Sequence, residues 1–280
     1  MIDKNHKNII VRNNKHVGYI ELNNPEKLNA ISFSMWCSLN EALEGFYKNS
    51  SIRCIVVSGV GRKAFSPGAD ISEFEDNRSD VQTIESYDNA SKKAMLLLQN
   101  FPKPTVACIS GYCMGGGMAL ALSCDIRIAS EESLFGIPAA KLGLAYGFSG
   151  IKRLTSIVGP SRAKYIFFTA GKFNARQAKQ YGILEEVYSQ KDLNQKSKEL
   201  VNSIVLNAPL TIKSAKLAVD TNPEDNLGVE ECLKFEKECF ASEDYIEGRK
   251  AFTEKRKPLF KGKYNKFSGS NLCLMQYQME

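Results

Sequence analysis

The sequence predicts an α/β core in which helices cover a largely parallel sheet, followed by a region that contains helices only. Short β-branched segments alternate with longer segments of helical spacing over the first 191 residues. From about Asp192 the strand signal stops and only the helical spacing continues. With 280 residues, 43% of them hydrophobic and 24% charged, the chain has the composition of a globular protein with a large core.

The individual elements follow from these local patterns. Runs of β-branched residues predict strands at 9–12, 17–22, 54–58, 106–110 and 126–129. Apolar residues at helical spacing predict helices at 34–47 and 86–100, and then at 192–206, 209–220, 228–241 and 244–256. We therefore expect an α/β core over residues 1–191, a helical layer used for assembly over 192–263, and a loose polar tail over 264–280.

Charge and residue counts exclude several classes of protein. The 37 basic and 31 acidic residues give a net charge of +6 that is spread along the chain, which argues against a nucleic-acid partner. The eight cysteines form no C-x-x-C pair and predict free thiols. His6 and His16 are the two histidines and both lie in the polar N-terminal region before the strand at 17–22, so neither Ser-His-Asp catalysis nor a histidine metal site is expected.

The expected location is the cytoplasm. No run of about 18 apolar residues occurs that could cross a bilayer, and the polar start of the chain lacks the apolar part of a signal peptide. Reduced thiols are typical of the same compartment. No membrane partner is expected.

The first candidate ligand site is the segment Lys63-Ala-Phe-Ser-Pro-Gly-Ala-Asp-Ile71, which follows the strand at 54–58. A Ser-Pro-Gly turn at the carboxyl end of a strand leaves backbone N–H groups free to face a ligand. An ordinary strand-to-helix turn explains the same residues through turn chemistry alone.

The second candidate is the glycine run Gly115 to Gly117, which lies between the strand at 106–110 and an apolar helical segment. Unpaired amides at a helix N-terminus attract anions. The run is neither a dinucleotide fingerprint, because Leu120 occupies the place of the last glycine, nor a phosphate-binding loop, which needs Gly-Lys-Ser/Thr. Tight packing of the helix is the alternative reason for the glycines.

Three more segments complete a pattern: Asn24-Pro-Glu-Lys-Leu-Asn-Ala30, Phe135-Gly-Ile-Pro-Ala-Ala-Lys-Leu-Gly143 and the polar segment 242–258. In order and spacing the five motifs resemble the crotonase (enoyl-CoA hydratase/isomerase) superfamily, from about Val17 to Lys261. The resemblance implies a crotonase-type spiral of ββα units with a C-terminal helical oligomerisation region that builds homotrimers or dimers of trimers. It also implies an acyl-CoA thioester substrate, with coenzyme A as part of that substrate and no other cofactor.

The resemblance assigns the site as well. The backbone N–H groups of Ala69 and Gly116 match the family's oxyanion hole, and the basic stretch 255–257 matches a segment that approaches the CoA phosphates. Further substrate and CoA contacts are expected at Lys27, Leu28, Ala30, Ala64, Gly68, Asp70, Ile71, Tyr112, Gly115, Ala119, Pro138, Ala139, Leu142 and Gly143.

The sequence departs from the family at the positions whose side chains transfer protons. The family's hydratases place glutamates at the positions of Ala119 and Ala139, and some isomerases place a carboxylate at that of Gly147. A methyl group or a hydrogen atom cannot exchange a proton, and acid/base catalysis contributes about 10² to 10⁴ in rate. Hydration or isomerisation by the family's usual mechanism is therefore in doubt.

Tyr146 is the polar candidate that remains. Methylmalonyl-CoA decarboxylase, a member that also lacks the carboxylate pair, is similar here and has its active-site tyrosine at this place. It differs by a histidine at the position of Ala69 and a threonine at that of Pro138. Alternatively, Tyr146 only lines the acyl pocket.

Three functions stay open at this point. The first is decarboxylation of a malonyl-type acyl-CoA, with Tyr146 as a catalytic residue beside Ala69 and Gly116. The second is an enoyl-CoA hydratase or isomerase with a non-standard acid/base group. The third is a catalytically silent acyl-CoA binder.

Overall fold

The protein is described by a computed structural model over residues 4–6, 8–70 and 81–263. The expected CoA contact at Ile71 and the expected tail over 264–280 lie outside these residues. The chain divides into two compact units, with the boundary between Val205 and Leu206.

A mixed sheet of seven strands forms the centre of the first unit in the described part of the chain. Its order is β1-β2-β3-β4-β6-β8-β11; β1 to β3 are antiparallel, and β3, β4, β6, β8 and β11 run parallel. The strands are β1 Lys4–His6, β2 Ile9–Asn14, β3 Val17–Leu22, β4 Cys54–Gly59, β6 Thr105–Ile109, β8 Ile126–Ser130 and β11 Glu186–Tyr188.

Among the described residues, a second sheet of four very short strands has the order β10-β9-β7-β5. Strands β5, β7 and β9 are parallel and β10 is antiparallel to β9. The strands are β5 Ala64–Ser66, β7 Tyr112–Met114, β9 Leu134–Gly136 and β10 Phe173–Asn174. The sequence does not predict this sheet, because two or three residues are too few to show an alternating pattern.

Helices follow most of the strands. In chain order they are α1 Phe33–Lys48, α2 Val81–Gln99, α3 Gly115–Ser123, α4 Phe148–Thr169, α5 Ala175–Gln180, α6 Leu193–Leu206, α7 Pro209–Asp220, α8 Asn226–Phe240 and α9 Glu243–Thr253. Helix α4 is kinked at Gly159, which has a φ of +74° and precedes Pro160.

Apolar side chains cover both faces of the large sheet, as a parallel sheet requires. Along β4, Ile55 and Val57 join the cluster that contains residues of α1, α2 and α3, whereas Cys54 and Val56 join the cluster on the opposite face. Helix α6 closes this opposite face through its buried apolar residues. The predicted α/β class with a C-terminal helical region is confirmed.

The sequence assigns helix α6 to the C-terminal helical layer, but in the structure α6 packs on the large sheet. Its Leu193, Val201 and Val205 belong to the cluster on the sheet, although the predicted helical layer starts at 192. Helical spacing shows that a helix has an apolar face but does not show which surface covers that face. In the described residues no helix is long and apolar enough to cross a bilayer.

Candidate functional site

Ala69 holds one backbone N–H donor just beyond the end of β5. The hydroxyl of Ser66 accepts a hydrogen bond from the Gly68 N–H over 3.1 Å, and Gly68 has a φ of +116°, which favours glycine. The Ile31 N–H donates to the Gly68 carbonyl oxygen over 2.8 Å, and the Ile31 carbonyl accepts from Asp70 over 3.1 Å. Because this parallel bridge uses the groups on either side of Ala69, the Ala69 N–H points away from Ile31.

The glycine run at the start of α3 supplies the second donor. Gly115 has a φ of +50°, and the Gly116 N–H lies in the first helical turn, where N–H groups have no acceptor within the helix. Gly117 packs directly on β5, since a Cβ added there would lie 2.4 Å from the carbonyl oxygen of Ser66. Only glycine lets the start of the helix come this close to the strand end.

The two donors are neighbours. The position of a Cβ on Gly116 lies 3.7 Å from the amide nitrogen of Ala69, and that of a Cβ on Gly68 lies 3.2 Å from the amide nitrogen of Gly116. Ala69 and Gly116 are only partly buried. Neighbouring N–H groups at a helix N-terminus stabilise an oxygen that carries negative charge. The structure thus brings together the two amides that the family resemblance assigns to an oxyanion hole.

The segment 24–30 is attached to the same strand end through Asn29. The side-chain amide of Asn29 donates to the carbonyl oxygens of Val60 and Ala64 over 3.0 and 2.8 Å. Leu28 and Asn29 adopt φ values of +54° and +64°, which are uncommon outside glycine. The buried hydrogen bonds of Asn29 therefore hold this segment in a shape that it would not adopt in isolation.

Lys27 and Asp70, two of the expected CoA contacts, form an ion pair. The Nζ of Lys27 lies 2.8 Å from Oδ2 of Asp70, whose side chain is only 7% exposed, while that of Lys27 is about half exposed. Since Asp70 follows Ala69 in the chain, the pair joins the segment 24–30 to the candidate oxyanion hole.

Tyr146 lies against the glycine run. Its hydroxyl donates to the carbonyl oxygen of Gly115 over 3.3 Å. Its ring packs edge-on against Phe167, with 5.2 Å between centroids, and a Cβ on Gly150 would lie 2.7 Å from the ring. Burial raises the pKa of the Tyr146 phenol, so the group stays protonated and acts as a donor. The hydroxyl therefore contacts the peptide that carries the Gly116 N–H.

The segment after β9 presents apolar side chains to solvent. A short 3₁₀ turn spans Pro138–Lys141, and the Ala139 carbonyl accepts hydrogen bonds from the N–H groups of Leu142 and Leu144, both over 3.1 Å. Gly143 has a φ of +65°. The side chains of Leu142 and Leu144 are exposed, which makes this segment a candidate lining for an acyl chain.

The remaining expected contacts differ in their placement. Ala30, Ala64 and Ala119 are buried, and Ala139 packs against the cluster that also contacts Tyr146. Tyr112 is exposed at the end of β7 opposite the glycine run, where its ring lies 5.3 Å from the Nζ of Lys172. The structure does not bring Tyr112 to the two amides.

Sequence reasoning missed the residues that hold the site together. Ile31 and Asn29 fix the backbone around Ala69, and the buried hydroxyl of Tyr87 donates to the Ile31 carbonyl over 3.0 Å. Asparagine is the non-glycine residue that best tolerates a positive φ, so Asn29 is a weak signal in the sequence for a left-handed turn. The roles of Ile31 and Tyr87 leave no local pattern, because their partners are distant in sequence.

The chain is similar to known proteins over almost its whole length. A sequence model described as enoyl-CoA hydratase/isomerase matches residues 12–263. A short-chain-enoyl-CoA hydratase of Clostridium acetobutylicum is 34% identical over 256 residues, 89% of this chain and 96% of its own. The crotonyl-CoA hydratase of Syntrophomonas wolfei is 30% identical over 259 residues, 91% and 98% of the two chains.

Solved structures agree with this match. The crystal structure of an enoyl-CoA hydratase from Bacillus anthracis superposes with a TM-score of 0.84 at 31% identity, covering 91% of this chain and 100% of that one. The predicted crotonase-type fold is confirmed by this superposition.

Replacing Gly117 by alanine tests the contact between α3 and β5. The added methyl group has no room beside Ser66, so the helix start must move away from the strand end. We expect Gly117→Ala to lower the free energy of unfolding by about 1 to 3 kcal/mol, as overpacking does. Chemical denaturation of both proteins measures the difference.

Gly45→Ala in α1 is the matched control, because a Cβ at Gly45 meets no atom within 4 Å. It should raise the free energy of unfolding by up to about 1 kcal/mol through helix propensity. Equal stability of the Gly117 variant and the wild type would contradict the close contact.

Proposed function

Because the chain belongs to the enoyl-CoA hydratase/isomerase family, we propose that it converts an acyl-CoA thioester by stabilising negative charge on the thioester oxygen. The N–H groups of Ala69 and Gly116 are the two donors. The observation that carries this proposal is their proximity, with 3.7 Å between the Ala69 nitrogen and the Cβ position of Gly116. No cofactor is needed beyond the coenzyme A of the substrate.

Chemistry beside a thioester carbonyl passes through an enolate, in which a carbon-bound electron pair is delocalised onto the oxygen. Two donors that already face this oxygen lower the energy of the enolate without any reorganisation. Loss of one such donor typically reduces kcat by about 10² to 10³. The main chain around Ala69 and Gly116 is the part of the site suited to this task.

The proposed reaction is decarboxylation of a malonyl-type acyl-CoA. The bond between C2 and the substrate carboxylate breaks, its electron pair forms the enolate, carbon dioxide leaves, and C2 then takes a proton from water. Substrate cleavage replaces the base that Ala119 and Ala139 cannot supply. This reaction therefore needs only what the two amides provide.

Hydration or isomerisation of an enoyl-CoA is the second candidate function. The names of the Clostridium and Syntrophomonas relatives, both hydratases, favour it. It requires an acid/base group at a position other than Ala119 and Ala139. The phenol of Tyr146 or a bound water is the candidate for that role.

The CoA part of the substrate is assigned to the segment 24–30 and its Lys27–Asp70 ion pair, which lie next to Ala69. The exposed Leu142 and Leu144 are suited to contact the acyl chain. The family resemblance assigns the CoA phosphates to the basic stretch 255–257, in which the Arg256 guanidinium forms ion pairs with Glu247 and Glu254.

Assembly into trimers, or dimers of trimers, is part of the proposal. Helices α8 and α9 expose large apolar side chains, among them Phe240, Ile246 and Phe252, the last 87% exposed. Exposed apolar clusters of this kind are typical of surfaces covered by another chain.

Mass spectrometry of the thioester pool tests the reaction. After incubation of the protein with a mixture of 2-enoyl-CoA and malonyl-type thioesters, we expect a malonyl-type thioester to lose the mass of carbon dioxide. Gain of the mass of water by an enoyl-CoA would instead establish hydration. Binding of thioesters without either change in mass would support the third function, that of a catalytically silent acyl-CoA binder.

Ala69→Pro tests the oxyanion hole directly, because proline lacks the N–H and the parallel bridge does not use this group. We expect kcat for the thioester that is turned over to fall at least about 100-fold. Ala69→Gly keeps the N–H and should react at nearly the wild-type rate. Turnover by the proline variant at the wild-type rate would show that the Ala69 N–H does not stabilise the thioester oxygen.

Light scattering coupled to size-exclusion chromatography tests the assembly. We expect a mass about three or six times the 31.1 kDa of one chain. Phe252→Glu should reduce this mass, because it places a charge on the exposed apolar surface, whereas Lys250→Glu on an exposed polar position of α9 should not. A wild-type mass of one chain would refute the proposed assembly.

A further inference from the structure

We propose that Tyr146 is a positioning residue, whose hydroxyl fixes the Gly115–Gly116 peptide so that its N–H stays aimed at the thioester oxygen. The inference rests on the proposed function of this amide. It is carried by the 3.3 Å hydrogen bond from the Tyr146 hydroxyl to the Gly115 carbonyl oxygen.

The geometry of the peptide group connects the two ends of this interaction. The Gly115 carbonyl and the Gly116 N–H belong to one planar trans peptide, so they point in opposite directions. A donor that holds the carbonyl oxygen therefore fixes the direction of the N–H on the other side. It also polarises the peptide, and hydrogen bonds in such a chain strengthen one another by about 10 to 30%.

This peptide has a particular need for an anchor because glycines lie on both sides of it. Neither Gly115 nor Gly116 has a Cβ that restricts rotation, and Gly115 already has a φ of +50°. A peptide in the first turn of a helix makes fewer hydrogen bonds than one in the interior, because its N–H has no acceptor within the helix. The hydroxyl of Tyr146, from the loop that precedes α4, supplies a further restraint on this peptide.

The other half of the hole has an equivalent anchor made by the main chain. The Gly68–Ala69 peptide carries the Ala69 N–H, and its carbonyl oxygen accepts a hydrogen bond from the Ile31 N–H over 2.8 Å. Each donor of the hole thus belongs to a peptide whose carbonyl is held from behind. On the Gly116 side the carbonyl is also an acceptor within the first turn of α3, and the additional holding group is the Tyr146 side chain, which can be removed by mutation.

The ring of Tyr146 is itself fixed in place. It packs edge-on against Phe167 and leaves no space for a Cβ at Gly150. Burial raises the pKa of the phenol, so the hydroxyl keeps its proton and remains a donor near neutral pH. A rigid ring with a protonated hydroxyl is suited to orient a peptide.

The test uses butyryl-CoA labelled with ¹³C at the thioester carbonyl, a saturated thioester that can be neither hydrated nor decarboxylated. Isotope-edited infrared difference spectra report the polarisation of this carbonyl in the hole. We expect the wild-type protein to lower its stretching frequency and Tyr146→Phe to lower it less. In turnover, Tyr146→Phe should reduce kcat roughly tenfold with KM little changed, a smaller loss than that from removing a donor.

Tyr165→Phe is the matched control, because the ring of Tyr165 is exposed on α4. Removal of the Tyr165 hydroxyl should change neither the infrared spectrum nor kcat. A carbonyl band of the Tyr146 variant that coincides with the wild-type band overturns the positioning role. If turnover is then abolished, the phenol acts on the substrate directly. If the wild-type protein itself binds butyryl-CoA without a frequency shift, the proposed oxyanion hole fails, and the positioning role fails with it.

Discussion

The close contact between the start of α3 and the end of β5 is the constraint on which the site depends. Gly117 lies so near the Ser66 carbonyl that a single methyl group would separate the two elements. This approach brings the Gly116 amide to the Ala69 amide, and both come from backbone that would be far apart in an extended chain. The surrounding hydrogen bonds from Ile31 and Tyr146 keep these peptides in position. The sheets and the helices that cover them serve to hold this junction rigid.

The sequence allowed β2, β3, β4, β6 and β8 of the large sheet and most of the described helices to be predicted, because their patterns are long enough to show a period. It did not predict β1 and β11, which have three residues each, or helix α4, which is interrupted at Gly159 and Pro160. Strand β3 and helix α7 begin and end at the residues that local spacing indicates. The small sheet could not be predicted, since β5, β7, β9 and β10 contain only two or three residues each. These strands exist because the chain segments around them place them side by side. The helix α6 shows a second limit, because amphipathic spacing does not identify the covering surface.

At the site, the two glycine-containing segments could be found from sequence because turn chemistry and helix starts leave local marks. The resemblance of their order to a known family added the pairing of Ala69 with Gly116, and the structure brings these amides together. The ion pair of Lys27 with Asp70 and the hydrogen bond of Tyr146 join residues separated by more than 30 positions. Such contacts depend on the folded chain, and no property of either residue alone indicates them.

The donors assigned to the hole are main-chain atoms, and this has a consequence for how the protein can change. A substitution at Ala69 by any residue other than proline leaves its N–H in place. Side chains nearby, such as those at positions 119 and 139, can therefore be exchanged without loss of charge stabilisation on the oxygen. A new reaction on the same thioester would then require only a different source or destination for one proton. The fold keeps the main-chain donors that stabilise the oxygen constant, while the side chains that transfer the proton are free to change in evolution.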